Sequence, residues 1–402
     1  MRSPVLRQGV WQAARLALGT ASALGLARFA YGLLLPAMRD DLHWTLAEAG
    51  AMGTANGLGY LVGALATAPV VHHSGAASAF RWGMALTAVA LATTAAGDDY
   101  LALLTARAAA GAAGAVVFIT GGVIASRIAA RVASGVPITV YFAGTGLGIV
   151  FSGAAIPALG DHWRLAWVGL GVAAAVATLV SWTAARSERD TTDATAGRAR
   201  IRPLWGTALA YLLFAAGYIT YITFLSAYLA DRRTPIVQVV AIWAVLGLAV
   251  LAAPALWSRP TSHWPGTRAL ATLLGVLAGG AALALAAPAP PVILASAIAY
   301  GITFMSVPAA VTALIRANTL PTDWTATLAA FTTLFAVGQT AGPWIAGIVA
   351  DHTSTGATLA WTAILCAVAA LIAATAGRSR LSTATTMRDP VPSRQVPEAR
   401  VQ

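Results

Sequence analysis

Arg28 and Arg107 are the two charged side chains that fall deep inside long apolar stretches of this chain. An ionised guanidinium in hydrocarbon is costly unless it faces protein, water or a ligand, so each needs a partner. No carboxylate lies at comparable depth in either stretch. The chemistry open to them is that of a fixed fork of N–H donors, which suits a carboxylate, a phosphate or another acceptor-rich group. Arg28 lies sixteen residues beyond Gln12, where its helix is expected to start, and Arg107 lies seven beyond Tyr100. At 1.5 Å per residue both reach the outer half of a bilayer at similar depth and could line one site. A local reading competes with this one. Arg28 could pair with Glu48, and Arg107 could bond backbone carbonyls of a neighbouring helix.

Other polar tips recur at helical spacing. Leu24, Arg28, Tyr31 and Leu35 share one face, as do Arg107, Gly111, Gly114 and Phe118. Asn56 and Tyr60 stand one turn apart on a small, apolar surface, although a membrane-buried Asn commonly bonds a neighbouring helix. Tyr218 with Tyr221, and Tyr300 with Phe304, suit a mixed apolar and hydrogen-bonding pocket, with plain packing as the competing reading. Gln339 is a further candidate for substrate contact.

The elements that must position these residues are membrane spans. The composition is 58% hydrophobic and 10% charged, with a mean hydropathy of +0.74, a balance that one soluble core of 402 residues could not hide. Breaking the chain at charge clusters and turn residues predicts helices over 12–36, 46–70, 80–97, 100–125, 136–159 and 164–184, then 204–229, 236–257, 268–287, 291–315, 324–349 and 357–377. The expectation is an all-α membrane protein of twelve transmembrane helices in two pseudo-symmetric six-helix bundles. The first bundle spans 1–186, a cytoplasmic linker 187–203, the second bundle 204–377, and a disordered cytoplasmic tail 378–402. The first apolar stretch exceeds a signal-peptide core and is read as an uncleaved helix.

All 25 basic residues are arginine. With the N-terminus inside, eighteen of them fall on the cytoplasmic side and only Arg39, Arg164, Arg232 and Arg233 outside, which places both termini in the cytoplasm. The net charge of +11 is thus topogenic rather than a nucleic-acid footprint, and no nucleic-acid partner is expected. Cys366 is the single cysteine, so no intramolecular disulfide or Cys-Cys metal pair is available. No HExxH, Walker loop or paired intramembrane aspartates occur, and neither enzyme activity, metal nor cofactor is expected.

The halves also echo each other. Gly144, Gly148 and Gly153 are matched by Gly338, Gly342 and Gly347, each displaced by 194 residues. Pairs such as Gly53 with Gly57 form small faces that permit close helix approach and sliding.

These features, with RAAAGAAGA from Arg107 to Ala115 and GQTAGPWIAG from Gly338 to Gly347, resemble the major facilitator superfamily of secondary transporters. The second run is similar to a Gly-Pro antiporter pattern usual in helix five, where this chain instead reads GTGLGIVFSG with Ile149 in the proline's place. The loop after helix two, APVVHHSGAASAFR, carries His72 where the family's aspartate is usual, which predicts a weaker or pH-dependent latch there. More narrowly, LARFAYGLLLP and TANGLGYLVGA look like a poorly characterised bacterial subgroup of efflux permeases.

The resemblance implies a central cavity lined by helices one, four, seven and ten, and a conformational or proton-relay role for Arg107. It also implies conformational roles for Gly111, Gly144, Gly148, Gly338, Gly342 and Pro343. The expected function is proton-coupled efflux of a small organic solute across the cytoplasmic membrane of a bacterium by alternating access. Protons and lipid are the further partners, and the carrier is expected to be a monomer. Glu48 is the candidate proton carrier, with Asp231 behind it. Facilitated diffusion or exchange of an organic anion is the alternative, since the arginines lack deep acids. A receptor or scaffold is a remote one.

Overall fold

A computed structural model describes residues 4–185 and 198–386 of the chain, and every regular element among them is helical. Twelve long helices follow one another: α1 (Pro4–Leu42), α2 (Leu46–Ser74), α3 (Ala76–Thr93), α4 (Tyr100–Arg131), α5 (Val136–Ala155) and α6 (Trp163–Ser181), then α7 (Trp205–Asp231), α8 (Ile236–His263), α9 (Arg268–Ala286), α10 (Pro290–Asn318), α11 (Trp324–Asp351) and α12 (Gly356–Thr386). Eleven of these are long and apolar enough to cross a membrane; α3 is the shorter and less apolar exception and packs along α4 and α6. The face where α1 begins and α12 ends is termed the terminal face, and the other the distal face.

Local chemistry sets the ends. At the start of α2, Thr45 and Glu48 form a capping box, with Thr45 N–H donating to Glu48 Oε2 at 2.8 Å and Glu48 N–H to Thr45 Oγ1 at 3.1 Å. Asp99 caps α4 by accepting from Ala102 N–H at 2.8 Å. Helix α1 runs Pro4–Leu42 rather than 12–36, and α8 reaches His263 rather than 257; two further bounds are corrected with a local cause. Helix α3 occupies Ala76–Thr93 rather than 80–97, because Gly75, at φ 79°, supplies the break that ends α2. Helix α12 continues through Thr386, so the first residues of the expected tail carry helical backbone; no proline interrupts it before Pro390. The rest of that tail, and 187–197 of the expected linker, lie outside the described residues.

The glycine repeat has a structural counterpart. A Cβ on Gly144 would overlap the carbonyl oxygen of Ala17 in α1, and one on Gly148 that of Ala21. Gly338 and Gly342 stand in the same way over the carbonyls of Leu212 and Ala216 in α7. The third member crosses to the other bundle in both halves: Gly153 meets Trp243 of α8, and Gly347 meets Leu46 at the start of α2. Helices with no hydrophobic drive between them in lipid gain their attraction from such close backbone approach. Outward, Leu58, Val62 and Leu65 form one exposed apolar stripe on α2, and Val172, Val176 and Leu179 another on α6, as lipid contact requires.

The bundles meet from mid-helix to the distal face. Gly32 of α1 packs on the Ile222 carbonyl of α7, Gly50 and Gly53 of α2 pack on Pro343, and Gly146 of α5 packs on Gly247 of α8. Thr54 Oγ1 donates to the Thr340 carbonyl at 2.6 Å, and Arg39 approaches Asp231 at 4.0 Å. On the terminal face an open concavity of about 510 Å³ lies between α4 and α5, lined by Phe118, Gly122, Ser126, Arg127 and Phe142 among others.

From Arg198 the chain straps itself to the start of α11. Asp323 accepts from Arg198 N–H at 2.9 Å and from Arg200 Nε at 2.8 Å, and Arg200 N–H donates to Thr327 Oγ1 at 3.0 Å. The Arg200 hydrogen bond, followed by that from the Arg198 backbone, holds the Asp323 carboxyl below the ordinary carboxylate range. A carboxyl with a depressed native pKa adds stability above its unfolded value and loses it as pH falls through the native one. The strap is therefore expected to hold at neutral pH and to release only in acid. At pH 7, Asp323→Asn is expected to speed amide hydrogen exchange over 198–204 several-fold, whereas protection equal to wild type would show the strap to be held by other contacts.

Candidate functional site

Arg28 sits near the end of a π-helical segment, Ala21–Phe29, inside α1. The Ala30 N–H reaches back five residues to the Gly25 carbonyl at 3.0 Å, which widens the turn. Gly25 also lies against the backbone of Gly148 of α5, where a Cβ would not fit. This wider turn breaks the three- and four-residue spacing that would place Arg28 and Tyr31 on one face. The two residues part company. Arg28 lies over the Tyr60 ring of α2, 5.4 Å from its centroid, while Tyr31 lies beneath Arg107.

Arg28 Nη2 donates to Gln339 Oε1 of α11 at 2.5 Å, across the boundary between the bundles. The same oxygen accepts from the Tyr218 hydroxyl of α7 at 3.3 Å. Glu48, the partner expected on local grounds, is exposed and engaged in its capping box. Arg28 Nε and Gln339 Nε2 remain buried donors with no acceptor among the described residues. Arg28 is 7% exposed and Gln339 0%, so these are donors withdrawn from bulk water.

Arg107 is 1% exposed, and Nε, Nη1 and Nη2 all lack a hydrogen-bond acceptor among the described residues. The carbonyl pairing expected on local grounds is not what holds it. The guanidinium lies instead against two rings, Tyr31 at 5.1 Å and Trp167 of α6 at 5.0 Å. Both rings are themselves fixed, Tyr31 by donating to the Ala49 carbonyl at 2.6 Å and Trp167 by donating to Met38 Sδ at 3.3 Å. Arg28 is buried as well. Two like charges thus share a low-dielectric interior.

The other candidates divide. Asn56 donates to the carbonyl of Arg107 at 3.1 Å, tying α2 to α4 beside the Gly111 contact, so its amide braces the arginine. Tyr60, Tyr218 and Gln339 surround Arg28. Phe304 stacks on Tyr218 at 6.0 Å and meets Phe29 of α1 edge-on at 5.8 Å, adding an aromatic wall that Phe335 extends at 5.5 Å from Tyr218. Tyr221 and Tyr300 stack on each other at 4.1 Å, fully buried. Their hydroxyls are taken by Ser296 Oγ at 2.7 Å and by the Tyr218 carbonyl, both within the second bundle.

Sequence reasoning does not single out Trp167, Phe29, Phe335, or the buried and unpartnered hydroxyls of Ser22 and Thr145. Nothing in their local spacing distinguishes them from packing residues. The face of α4 that carries Arg107, Gly111, Gly114 and Phe118 continues into Gly122 and the terminal-face concavity. What the residues around Arg28 and Arg107 offer is several donors, two positive charges, ring faces and, among the described residues, no acid.

A family profile described as "Uncharacterised MFS-type transporter YbfB" matches residues 20–377. No curated protein matches the chain significantly. Among solved structures, a bacterial homologue of the human lysosomal transporter Spinster, in an inward-facing and unoccupied conformation, superposes with a TM-score of 0.67 at 13% identity, over 98% of this chain and 100% of its own. The nucleoside transporter NupG gives 0.64 at 14% identity, over 92% and 98%. The human organic anion transporter MFSD10 gives 0.62 at 14%, over 92% and 100%. At such identities these likenesses concern the fold alone.

Proposed function

Since the chain belongs to the family of MFS-type transporters described by YbfB, and is a multi-pass secondary transporter, we propose that its cargo is a small organic anion, bound between the bundles at Arg28 and moved by alternating access. The observation that supports this reading is the imbalance of hydrogen-bonding groups. Arg28 Nε, Gln339 Nε2 and the three Arg107 nitrogens are buried donors without acceptors among the described residues. An acceptor-rich, negatively charged solute would satisfy them and relieve the repulsion between the arginines, whereas a cationic solute would aggravate both.

The terminal face is taken as cytoplasmic on the arginine distribution, in the inner membrane of a bacterium, with both termini inside. Contacts concentrated on the distal half then describe a carrier open to the cytoplasm. Proton-coupled efflux would need a proton acceptor other than Glu48 as it stands here, since that carboxylate closes the α2 capping box at the surface.

The test is a thermal-shift screen of purified protein against organic carboxylates and their neutral amides. A ligand at about 100 times its Kd stabilises the native state by about 2.7 kcal/mol. Carboxylates are expected to raise Tm by more than their neutral amides do, while cationic drugs leave it unchanged; stabilisation by cations alone would overturn the reading. Flux in vesicles under an imposed pH gradient then separates proton antiport from facilitated diffusion or exchange.

A further inference from the structure

The start of α2 presents an accounting problem. A helix leaves its first N–H groups without internal partners. Here the capping box satisfies two, Thr45 N–H through Glu48 Oε2 and Glu48 N–H through Thr45 Oγ1. Two are left over, those of Leu46 and Ala47. Both are met from the other bundle: Asp351, the last residue of α11, accepts from Leu46 N–H through Oδ1 at 2.7 Å and from Ala47 N–H through Oδ2 at 2.9 Å. A carboxylate gripping two amides at a helix N-terminus has both charge-assisted hydrogen bonds and the helix dipole in its favour. Gly347, one turn earlier on α11, makes the approach possible by lying against the Leu46 carbonyl.

We infer that Asp351 is the latch that closes this transporter on its distal face, so that its release accompanies opening there. Two further observations point the same way. The latch has no counterpart in the repeat: displacing Asp351 by the same 194 residues that relate the glycines arrives at Pro157, which carries no carboxylate toward α8. On the terminal face, the α2–α3 junction holds exposed His72 and His73 and no acid. A charged latch on one face, without its repeat-related partner, biases the carrier toward the state closed distally. Opening on that face must break both hydrogen bonds and hand the two amides to water, while the capping box, internal to α2, can stay intact. Asp351 is a positioning residue in this sense: it acts through α2 and touches no substrate.

The inference is tested by distance measurements between spin labels on Gly97→Cys, in the α3–α4 loop, and Ala286→Cys, at the distal end of α9, in a Cys366→Ala background. Asp351→Asn keeps the volume and loses the charge, and is expected to raise the long-distance, distally open population about ten-fold, the scale of losing a capping carboxylate. Asp351→Glu is expected to restore much of the closed population. Thr45→Ala weakens the start of the same helix without touching the bundle boundary and is expected to leave the distances unchanged. Should Asp351→Asn not fold, Gly347→Ala pries Leu46 from α11 with the carboxylate in place and is expected to shift the distances in the same direction. Unchanged distances in the folded variants would overturn the latch, and so would an equal shift in Thr45→Ala, which would assign the effect to fraying of α2.

Discussion

Arg28→Gln is expected to abolish binding of organic anions while leaving neutral solutes of similar shape unaffected. The guanidinium is 7% exposed, and one of its donors is already spent on Gln339 Oε1 at 2.5 Å. Glutamine keeps an N–H donor that can reach part of this network but removes the charge and the planar fork. Loss of a charge-assisted contact in a site withdrawn from water is worth about 3 kcal/mol, roughly a hundred-fold in Kd. Binding of a carboxylate and its amide, followed by calorimetry on the variant, separates the charge from the shape. Retention of both would remove Arg28 from the binding site, and loss of both would make it a structural tie between α1 and α11.

The second large effect is expected to split stability from transport. Arg107→Met replaces a buried cation that has no hydrogen-bond acceptor among the described residues by an unbranched apolar chain able to fill the space against Tyr31 and Trp167. Exchange of buried charges for well-packed apolar residues is neutral or stabilising by about 1–4 kcal/mol, so the melting temperature of the ligand-free protein is expected to hold or rise. Transport in vesicles is expected to fall by at least about ten-fold, because the charge that opposes Arg28 and attracts the solute is gone. A lower melting temperature with unchanged transport would show instead that the ring contacts make Arg107 a structural residue.

Much of the fold was legible along the chain because hydrocarbon permits so little: twelve apolar stretches had to be helices satisfying their own backbone bonds. The glycine repeat was legible too, and the structure gives it a physical meaning in the carbonyls of Ala17, Ala21, Leu212 and Ala216. The site was legible in part. Arg28, Tyr60, Tyr218 and Gln339 come together, whereas Tyr31 and Asn56 attend Arg107, and Tyr221 with Tyr300 hydrogen-bond within the second bundle. The misplacement of Tyr31 beside Arg28 has one cause, the π-helical turn, which changes the residue spacing without a distinctive residue type to announce it.

Glu48, the candidate proton carrier, closes the capping box of α2 with Thr45, a contact that its S/T-x-x-E spacing with Thr45 announces in the sequence. Asp351, which hydrogen-bonds across the bundles to the start of α2, sits at a helix end where sequence offers no reason to prefer it.

By itself, the sequence determined what the bilayer dictates locally: the number and order of the apolar helices, the two arginines that need partners, and the glycines that allow helices to touch. Tertiary structure alone decided which partners those groups take. Arg28 finds Gln339 across 311 residues, and Leu46 finds Asp351 across 305. Such pairs depend on how two rigid bundles lie against each other, and that arrangement is set by the sum of many close contacts, not by any periodicity within a helix.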